Sequence, residues 1–346
     1  MKILIVKTSA IGDIIHTFPV VDYLRHRFPK AEIDWVVEKG NRALVSAHPE
    51  IHKVYSVDTQ TWRKGVFTSS TWQQIKAFKS ELAQTSYDLL FDLQGNTKSA
   101  FITFFANAKE KIGFGWDTVK EKPNMLVTTK RYSTPPGMSV RKRNLHLVKS
   151  YLGELHQLPR KTTLTLTSEE QARLDSILIH SITYMVAFGS KWTNKRLSVD
   201  VLQEFLLKLS ANFMFVWSTP EEKIIAEKLA QSFPNSTTLG DLTLPLWQAI
   251  MQKVDCVIAM DSAALHLCAT TSTPTFSVFG PSLASIFKPD GEQHVAIQGT
   301  CPYNKTFAER CPILRTCKTG ACIRNITADQ LFESFKKLTT ISPYAK

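Results

Sequence analysis

Short apolar runs rich in β-branched and aromatic residues alternate with longer amphipathic stretches, and the alternation runs twice along the chain. A strand–helix alternation of this kind specifies parallel sheets covered by helices. In the first series, strands are predicted at Lys2–Lys7, Glu32–Val37, Lys53–Val57 and Asp88–Asp92, with helices at Ile14–Arg27, Trp72–Leu82 and Thr97–Phe105. In the second, strands fall at Tyr184–Phe188, Phe213–Trp217, Cys256–Met260 and Thr275–Phe279, with helices at Val199–Leu209, Glu221–Ser232, Leu246–Lys253, Ala263–Thr270 and Ala328–Leu338. A polar stretch, Leu158–Ser181, separates the series. The pattern predicts an α/β chain of two Rossmann-like domains, 1–165 and 166–325, followed by a C-terminal helix in 326–346 that packs back on the first domain or docks on the second. No short-period repeat is present, which excludes solenoids and propellers.

With 346 residues, 43% of them hydrophobic, each half has enough apolar side chains for its own core. No run approaches the ~18 apolar residues of a membrane span. The apolar start, Ile3-Leu4-Ile5-Val6, is cut off at once by Lys7, unlike a signal peptide. A cytoplasmic location is expected. The charge is uneven: residues 1–180 hold 26 basic and 17 acidic residues (+9), and residues 181–346 hold 16 and 13 (+3). The first half therefore seeks anions, which admits nucleic acid, an anionic membrane or an acidic substrate. Without a basic helix, an aromatic RNA-binding strand or finger spacing, nucleic acid is not expected. Cys256 and Cys268 sit in apolar stretches, whereas Cys301, Cys311, Cys317 and Cys322 crowd one segment without the paired C-x2-C of a zinc ribbon. Reduced thiols in a folded loop, and no metal, are expected there.

In open α/β sheets ligands gather at the carboxyl ends of strands. The first such turn, Lys7-Thr8-Ser9-Ala10-Ile11-Gly12-Asp13, lacks both G-x-G-x-x-G and G-K-[ST] and offers one carboxylate. Asp13 is either a helix cap or a general base. The turn Gly189 to Arg196 combines a glycine, hydroxyls and three cations, Lys191, Lys195 and Arg196, suited to a phosphorylated ligand or to plain solvation. Asp261-Ser262-Ala263-Ala264-Leu265-His266 follows a buried strand. Its small residues suit a diphosphate, although Asp261 or Ser262 is equally a helix cap and His266 a core residue. Glu221 and Glu222 follow another strand end and suit either the helix dipole or the hydroxyls of a ribose.

Taken in order, the motifs Lys7 to Thr17, Trp62-Arg63-Lys64, Asp92-Leu93-Gln94-Gly95-Asn96-Thr97-Lys98-Ser99, Gly189 to Arg196 and Asp261 to His266 resemble the lipopolysaccharide heptosyltransferases over nearly the full length. The likeness is greatest to the type I enzymes. The resemblance implies a GT-B fold with the two domains facing a central cleft. It also implies inverting, metal-independent transfer of heptose from ADP-L-glycero-D-manno-heptose to the Kdo region of lipid A, with no cofactor. By this likeness Asp13 is the base. The donor is held by Ser190, Lys191, Lys195, Glu222, Leu242, Asp261, Ser262, Ala263 and His266. The acceptor is met by Thr8, Ser9, Gly12, Arg63, Lys64, Lys98, Lys120 and Arg143, with Trp62 as a sugar-stacking platform or plain packing. The absence of a D-x-D motif agrees with metal-independent chemistry. The implied enzyme is a monomer lying peripherally on the cytoplasmic face of the inner membrane. Ala263 and Leu197 depart from the glycine and tryptophan usual at those places, and Gln60-Thr61 stands where a basic pair is common. A sibling that adds a later core sugar, or a non-catalytic nucleotide-sugar binder, is the alternative.

Overall fold

Six strands form the first sheet: β1 (Lys2–Val6), β2 (Glu32–Glu38), β3 (Lys53–Val57), β4 (Ser86–Asp92), β5 (Asn107–Phe114) and β6 (Lys130–Tyr132). All pair in parallel, in the order β3-β2-β1-β4-β5-β6. The second sheet repeats this plan with β7 (Thr183–Ala187), β8 (Asn212–Val216), β9 (Thr237–Leu239), β10 (Cys256–Met260), β11 (Thr275–Phe279) and β12 (His294–Gln298), ordered β9-β8-β7-β10-β11-β12. This computed structural model describes residues 1–154, 162–180 and 182–341, with side chains through 338. The chain divides into two units, Met1–Thr165 and Leu166–Lys346.

The eight predicted strands are all present. The four additional ones lie toward the sheet margins, where apolar runs are not required. β5 begins Asn107-Ala108-Lys109-Glu110-Lys111, with only its last three residues buried, and β6 and β9 span three residues each. By contrast β7, β10 and β11 are buried along their whole length, as central parallel strands are.

Helices differ from expectation in several places. The predicted helix Ile14–Arg27 is two, Ile11–Ile15 and Phe18–Arg27, divided where Pro19 opens the second. A helix at Val140–Leu152 was hidden by its run of basic residues, and another, Ser168–Ser176, lies in the stretch read as a separator. Residues 155–161 and 181 of that stretch lie outside the described residues. The last helix, Ala328–Ile341, belongs to the second unit, the second of its two expected places, and not to the first. Its stripe Leu331, Phe335 and Leu338 is buried in the second unit's core, with the Phe335 ring 5.8 Å from Phe205 and 5.3 Å from Phe276. Among the described residues, no helix is long and apolar enough to cross a membrane.

In each sheet the strand order reverses beside the first strand, between β1 and β4 and between β7 and β10. The loops leaving these pairs diverge to opposite faces, so a crevice opens at their carboxyl ends. The motifs singled out in the sequence leave one of these four strands, apart from Trp62-Arg63-Lys64 and from Glu221-Glu222, which follows β8.

Candidate active site

At the first switch point, Asp92 ends β4 fully buried, yet none of its charge is left for a ligand. Its Oδ1 accepts from the Gln94 and Gly95 backbone N–H groups at 3.0 and 2.9 Å, and its Oδ2 from Thr103 Oγ1 at 3.0 Å and Asn124 Nδ2 at 2.6 Å. This network fixes the turn after β4, where Gly95 adopts a positive φ of 67° that favours glycine. Gln94 then reaches across to the turn after β1, its Oε1 accepting from the N–H groups of Thr8 (3.0 Å) and Ser9 (3.2 Å). Thr8 is buried and held, and Ser9 is partly exposed beside it. Gln94 had been read only as part of a motif; its bridging role needs the β1–β4 adjacency that sequence does not display.

Asp13 is not the helix cap. Ala10 holds the cap position of Ile11–Ile15, and Asp13 lies in the first turn with Gly12, its side chain 24% exposed. Its Oδ2 stands 3.7 Å from Lys120 Nζ. Beneath it, fully buried Lys7 donates from Nζ to the Leu93 carbonyl at 2.8 Å. Burial brings the Lys7 ammonium down to about 8, opposed chiefly by the nearby Asp13 carboxylate, with Lys120 and Arg143 adding repulsion. Asp13, Lys7, Lys120 and Arg143 thus form one electrostatic group.

Lys7 makes this group pH-sensitive, since its positive charge is lost as pH rises through about 8. Any activity that depends on this group is expected to decline above that pH. Lys7→Met is expected to remove the step from the pH–rate profile, leaving a lower, flat limb; a step of unchanged size in that variant would contradict the assignment.

Lys98 follows β4 and donates to Thr59 Oγ1 at 3.1 Å, at the start of the helix Thr59–Lys64. Arg63 and Lys64 stand exposed at that helix's other end. Trp62 beside them is core, not platform. It is 9% exposed, packs on Phe78 with ring centroids 5.7 Å apart, and donates to Gln74 Oε1 at 3.1 Å.

The second switch point is built around a buried ion pair. Lys195 Nζ and Asp261 Oδ2 are bonded, Ser282 Oγ donates to the same oxygen, and His266 Nε2 lies 3.8 Å from Oδ1. Burial works against the Asp261 charge, but Lys195, His266 and these hydrogen bonds outweigh it and hold the carboxyl below its usual range. Asp261 is therefore spent on Lys195 rather than on capping. Ser262 occupies the cap position of the short helix Ala263–Cys268 without a side-chain cap bond. Ser282 was missed in the sequence; its signal is the Gly280-Pro281-Ser282 turn at the end of β11.

On the other side of β7, Gly189 is required by close approach, since a Cβ there would lie 2.4 Å from Glu222 Oε1. Buried Glu222 accepts from Ser218 N (3.0 Å) and Ser218 Oγ (2.8 Å) and pairs with Arg196 Nη2 at 3.2 Å, while Arg196 Nε donates to the Ser190 carbonyl at 2.7 Å. Ser190 is buried and Lys191 exposed. Leu242, partly exposed, follows β9. The predicted donor residues thus line four adjacent strand ends: β9 (Leu242), β8 (Glu222), β7 (Ser190, Lys191, Lys195) and β10 (Asp261, Ser262, Ala263, His266). At about 4.8 Å between strands the row is about 15 Å long.

The four clustered cysteines support this row. Their loop clasps the Thr193–Lys195 turn, with Asn194 Nδ2 donating to the carbonyls of Leu314 and Cys317. Cys301, Cys311, Cys317 and Cys322 are free thiols on the wall of one small apolar cavity. Among the described residues, no group of three or more His, Cys, Asp or Glu side chains is arranged to hold a metal ion. Burial, reinforced by the other three thiols, pushes Cys322 up to about 11, whereas the Gly320 N–H draws Cys317 down. Iodoacetamide at pH 8 is expected to alkylate Cys317 before Cys322, as peptide mass mapping would show; the reverse order would contradict this placement.

With this geometry in place, comparison with known proteins decides the family. The family model for glycosyltransferase family 9 (heptosyltransferase) matches residues 75–316, more than half of the chain.

The chain belongs to glycosyltransferase family 9.

The matched segment holds Lys98, Lys120, Arg143 and every donor residue, while Asp13, Arg63 and Lys64 precede it. This glycosyltransferase is 27% identical over 325 residues to lipopolysaccharide heptosyltransferase 1 of Pseudomonas aeruginosa, covering 90% of each chain. It is 26% identical over 295 residues to lipopolysaccharide heptosyltransferase 1 of Escherichia coli K12, covering 82% of this chain and 88% of the other. In fold it matches the solved structure of E. coli heptosyltransferase WaaC with ADP-2-deoxy-2-fluoro heptose, with a TM-score of 0.77 at 24% identity over 97% of this chain and 99% of that one. Its two parallel-sheet domains make a GT-B fold.

Proposed function

We propose that this family 9 glycosyltransferase transfers heptose from ADP-L-glycero-D-manno-heptose to the Kdo region of lipid A, with inversion and without a metal. The observation that carries the reading is the division of chemistry between the two switch points. One presents an uncapped carboxylate, Asp13, among cations; the other presents a row of polar strand ends around a buried lysine. The relatives named lipopolysaccharide heptosyltransferase 1, and the WaaC structure with an ADP-heptose analogue, support the choice of acceptor and donor.

In this reading Asp13 takes the proton of an acceptor hydroxyl as its oxygen attacks the anomeric carbon from the face opposite the leaving group. The bond from that carbon to the diphosphate oxygen breaks, and ADP departs with the electron pair. Lys195 has ammonium protons beyond the one given to Asp261, and these meet the charge developing on the diphosphate. The helix Ala263–Cys268 is too short to supply much dipole, so Lys195 carries the larger share. Glu222 has used about three of its four lone-pair directions, leaving one for a ribose hydroxyl. Leu242 contacts the adenine, while Ser190, Lys191, Ser262, Ala263 and His266 complete the donor site. Ser9, Gly12, Arg63, Lys64, Lys98, Lys120 and Arg143 face the anionic acceptor, at the surface of the membrane that carries it, while buried Thr8 holds the turn beneath them.

Transfer is expected to persist in EDTA and to give a product anomer opposite to the donor's, read by NMR of the isolated saccharide. Retained configuration, or activity abolished by EDTA and restored by Mg²⁺, would overturn the mechanism. Acceptors of defined length separate the type I reaction from that of a sibling. The first-heptose reading requires transfer to an acceptor ending in Kdo.

A further inference from the structure

The segment 59–80 contains Arg63, Lys64, Lys76 and Lys79 and no acidic residue. It also exposes three large apolar side chains close together: Phe67 is 98% exposed, Trp72 57% and Val66 42%. The tip that carries Phe67 is not a slack loop. Gly65 N–H donates to Thr61 O at 2.8 Å, Thr68 N–H to Gly65 O at 2.9 Å, and Thr68 Oγ1 to Gly65 O at 2.8 Å, closing a turn onto the helix Ser69–Ala83. Buried Trp62, bonded to Gln74, locks the preceding helix to this one. The chain therefore holds a phenylalanine out in water on a fixed support, which single-protein stability does not explain.

The surface continues along the helix. Trp72, Lys76 and Lys79 recur at i, i+4 and i+7 and share one face. Lys79 Nζ lies 4.5 Å above the Phe105 ring, which adjoins Phe104 (64% exposed) and Phe101 (38% exposed) at ring separations of 5.2 and 4.6 Å. The nearest acid along the helix, Glu81, is paired with Lys53 at 3.1 Å. The result is an aromatic tip and an aromatic patch separated by about 15 Å of helix with a basic, acid-free face.

We propose that this surface docks the protein on an anionic phospholipid bilayer, with Phe67, Val66 and Trp72 entering the interface and Arg63, Lys64, Lys76 and Lys79 meeting the headgroup charge. Aromatic tips flanked by cations without acids match the interfacial zone of such a membrane, where apolar side chains bury and basic ones keep their heads among phosphates. A protein partner would more ordinarily require interspersed charges of both signs. The proposal deepens the membrane-bound acceptor reading above and rests on it.

The test uses the full chain and vesicles free of lipid A. Wild-type protein is expected to sediment with phosphatidylethanolamine–phosphatidylglycerol vesicles and much less with phosphatidylcholine vesicles. The double variant Phe67→Ser/Trp72→Ser, and separately Lys76→Glu/Lys79→Glu, are expected to lose about tenfold or more in partitioning. Both are expected to keep wild-type transfer to an acyl-free, Kdo-terminated saccharide, which shows that fold and site are intact. Partitioning by the variants equal to wild type would overturn the proposal. So would wild-type binding only to vesicles containing lipid A, or self-association in solution that Phe67→Ser/Trp72→Ser abolishes. If vesicle binding follows expectation but no saccharide is modified, the docking surface stands and the transfer reading falls.

Discussion

Asp13→Ala is expected to lower transfer by about 10²-fold or more while leaving ADP-heptose affinity nearly unchanged. The carboxylate lies in the first unit's switch point, and every predicted donor residue is in the second unit. In the proposed mechanism its removal takes away a proton acceptor and not a donor contact. The structure excludes the competing explanation for an aspartate at this place, because Ala10 holds the cap position. Asp13→Asn keeps the shape and is expected to be as inactive, since an amide cannot accept the proton. Calorimetric titration with ADP-heptose beside a timed transfer assay separates the two effects. Equal loss of binding and transfer would remove Asp13 from the role of base.

Lys195→Met is expected to weaken donor binding by about 10²-fold, and its interpretation depends on Asp261. The pair is buried on both sides, with side-chain exposures of 10% and 7%. Removing the lysine alone strands a buried carboxylate, a change that costs about 3–5 kcal/mol in such pairs. The double variant Lys195→Met/Asp261→Asn removes that uncompensated charge. Its thermal stability is expected to return toward wild type while donor affinity stays low. Recovery of donor affinity in the double variant would mean that Lys195 serves only as a counter-ion to Asp261.

How much of this was legible in the sequence follows from burial. Central parallel strands are covered on both faces, so β1, β7, β10 and β11 read as continuous apolar runs and were located to within a residue. β5 and β12 are only partly buried, β9 is half-buried and short, and nothing in their composition separates them from loops. The motif residues were found because they follow legible strands. Their partners were not, because Gln94 reaching Thr8, Arg196 meeting Glu222 and Ser282 meeting Asp261 are contacts between residues 21 to 86 apart in the chain. Local pattern likewise could not tell whether Asp13 caps a helix, and only the place where the helix begins excludes the cap. Trp62 was ambiguous for the same reason: beside two cations its sequence context suits a sugar platform, and only the helix Ser69–Ala83 packing across it makes it core.

The charge asymmetry also acquires a place. The surplus of the first half is concentrated in the Asp13 group, in Lys98 and in the acid-free segment 59–80, whereas in the second half Lys195 and Arg196 are each committed to a buried carboxylate. A basic surface for an anionic acceptor and a few placed cations for a diphosphate are different demands, and the proposed function assigns one to each sheet.

Mass spectrometry of Kdo-lipid A after incubation with the purified protein and a panel of nucleotide sugars tests the central claim most directly. The account predicts a mass increase of one heptosyl residue with ADP-heptose, matched by one equivalent of released ADP, and no addition from nucleotide hexoses. An acceptor unchanged by ADP-heptose, or one extended equally well by another nucleotide sugar, would contradict it.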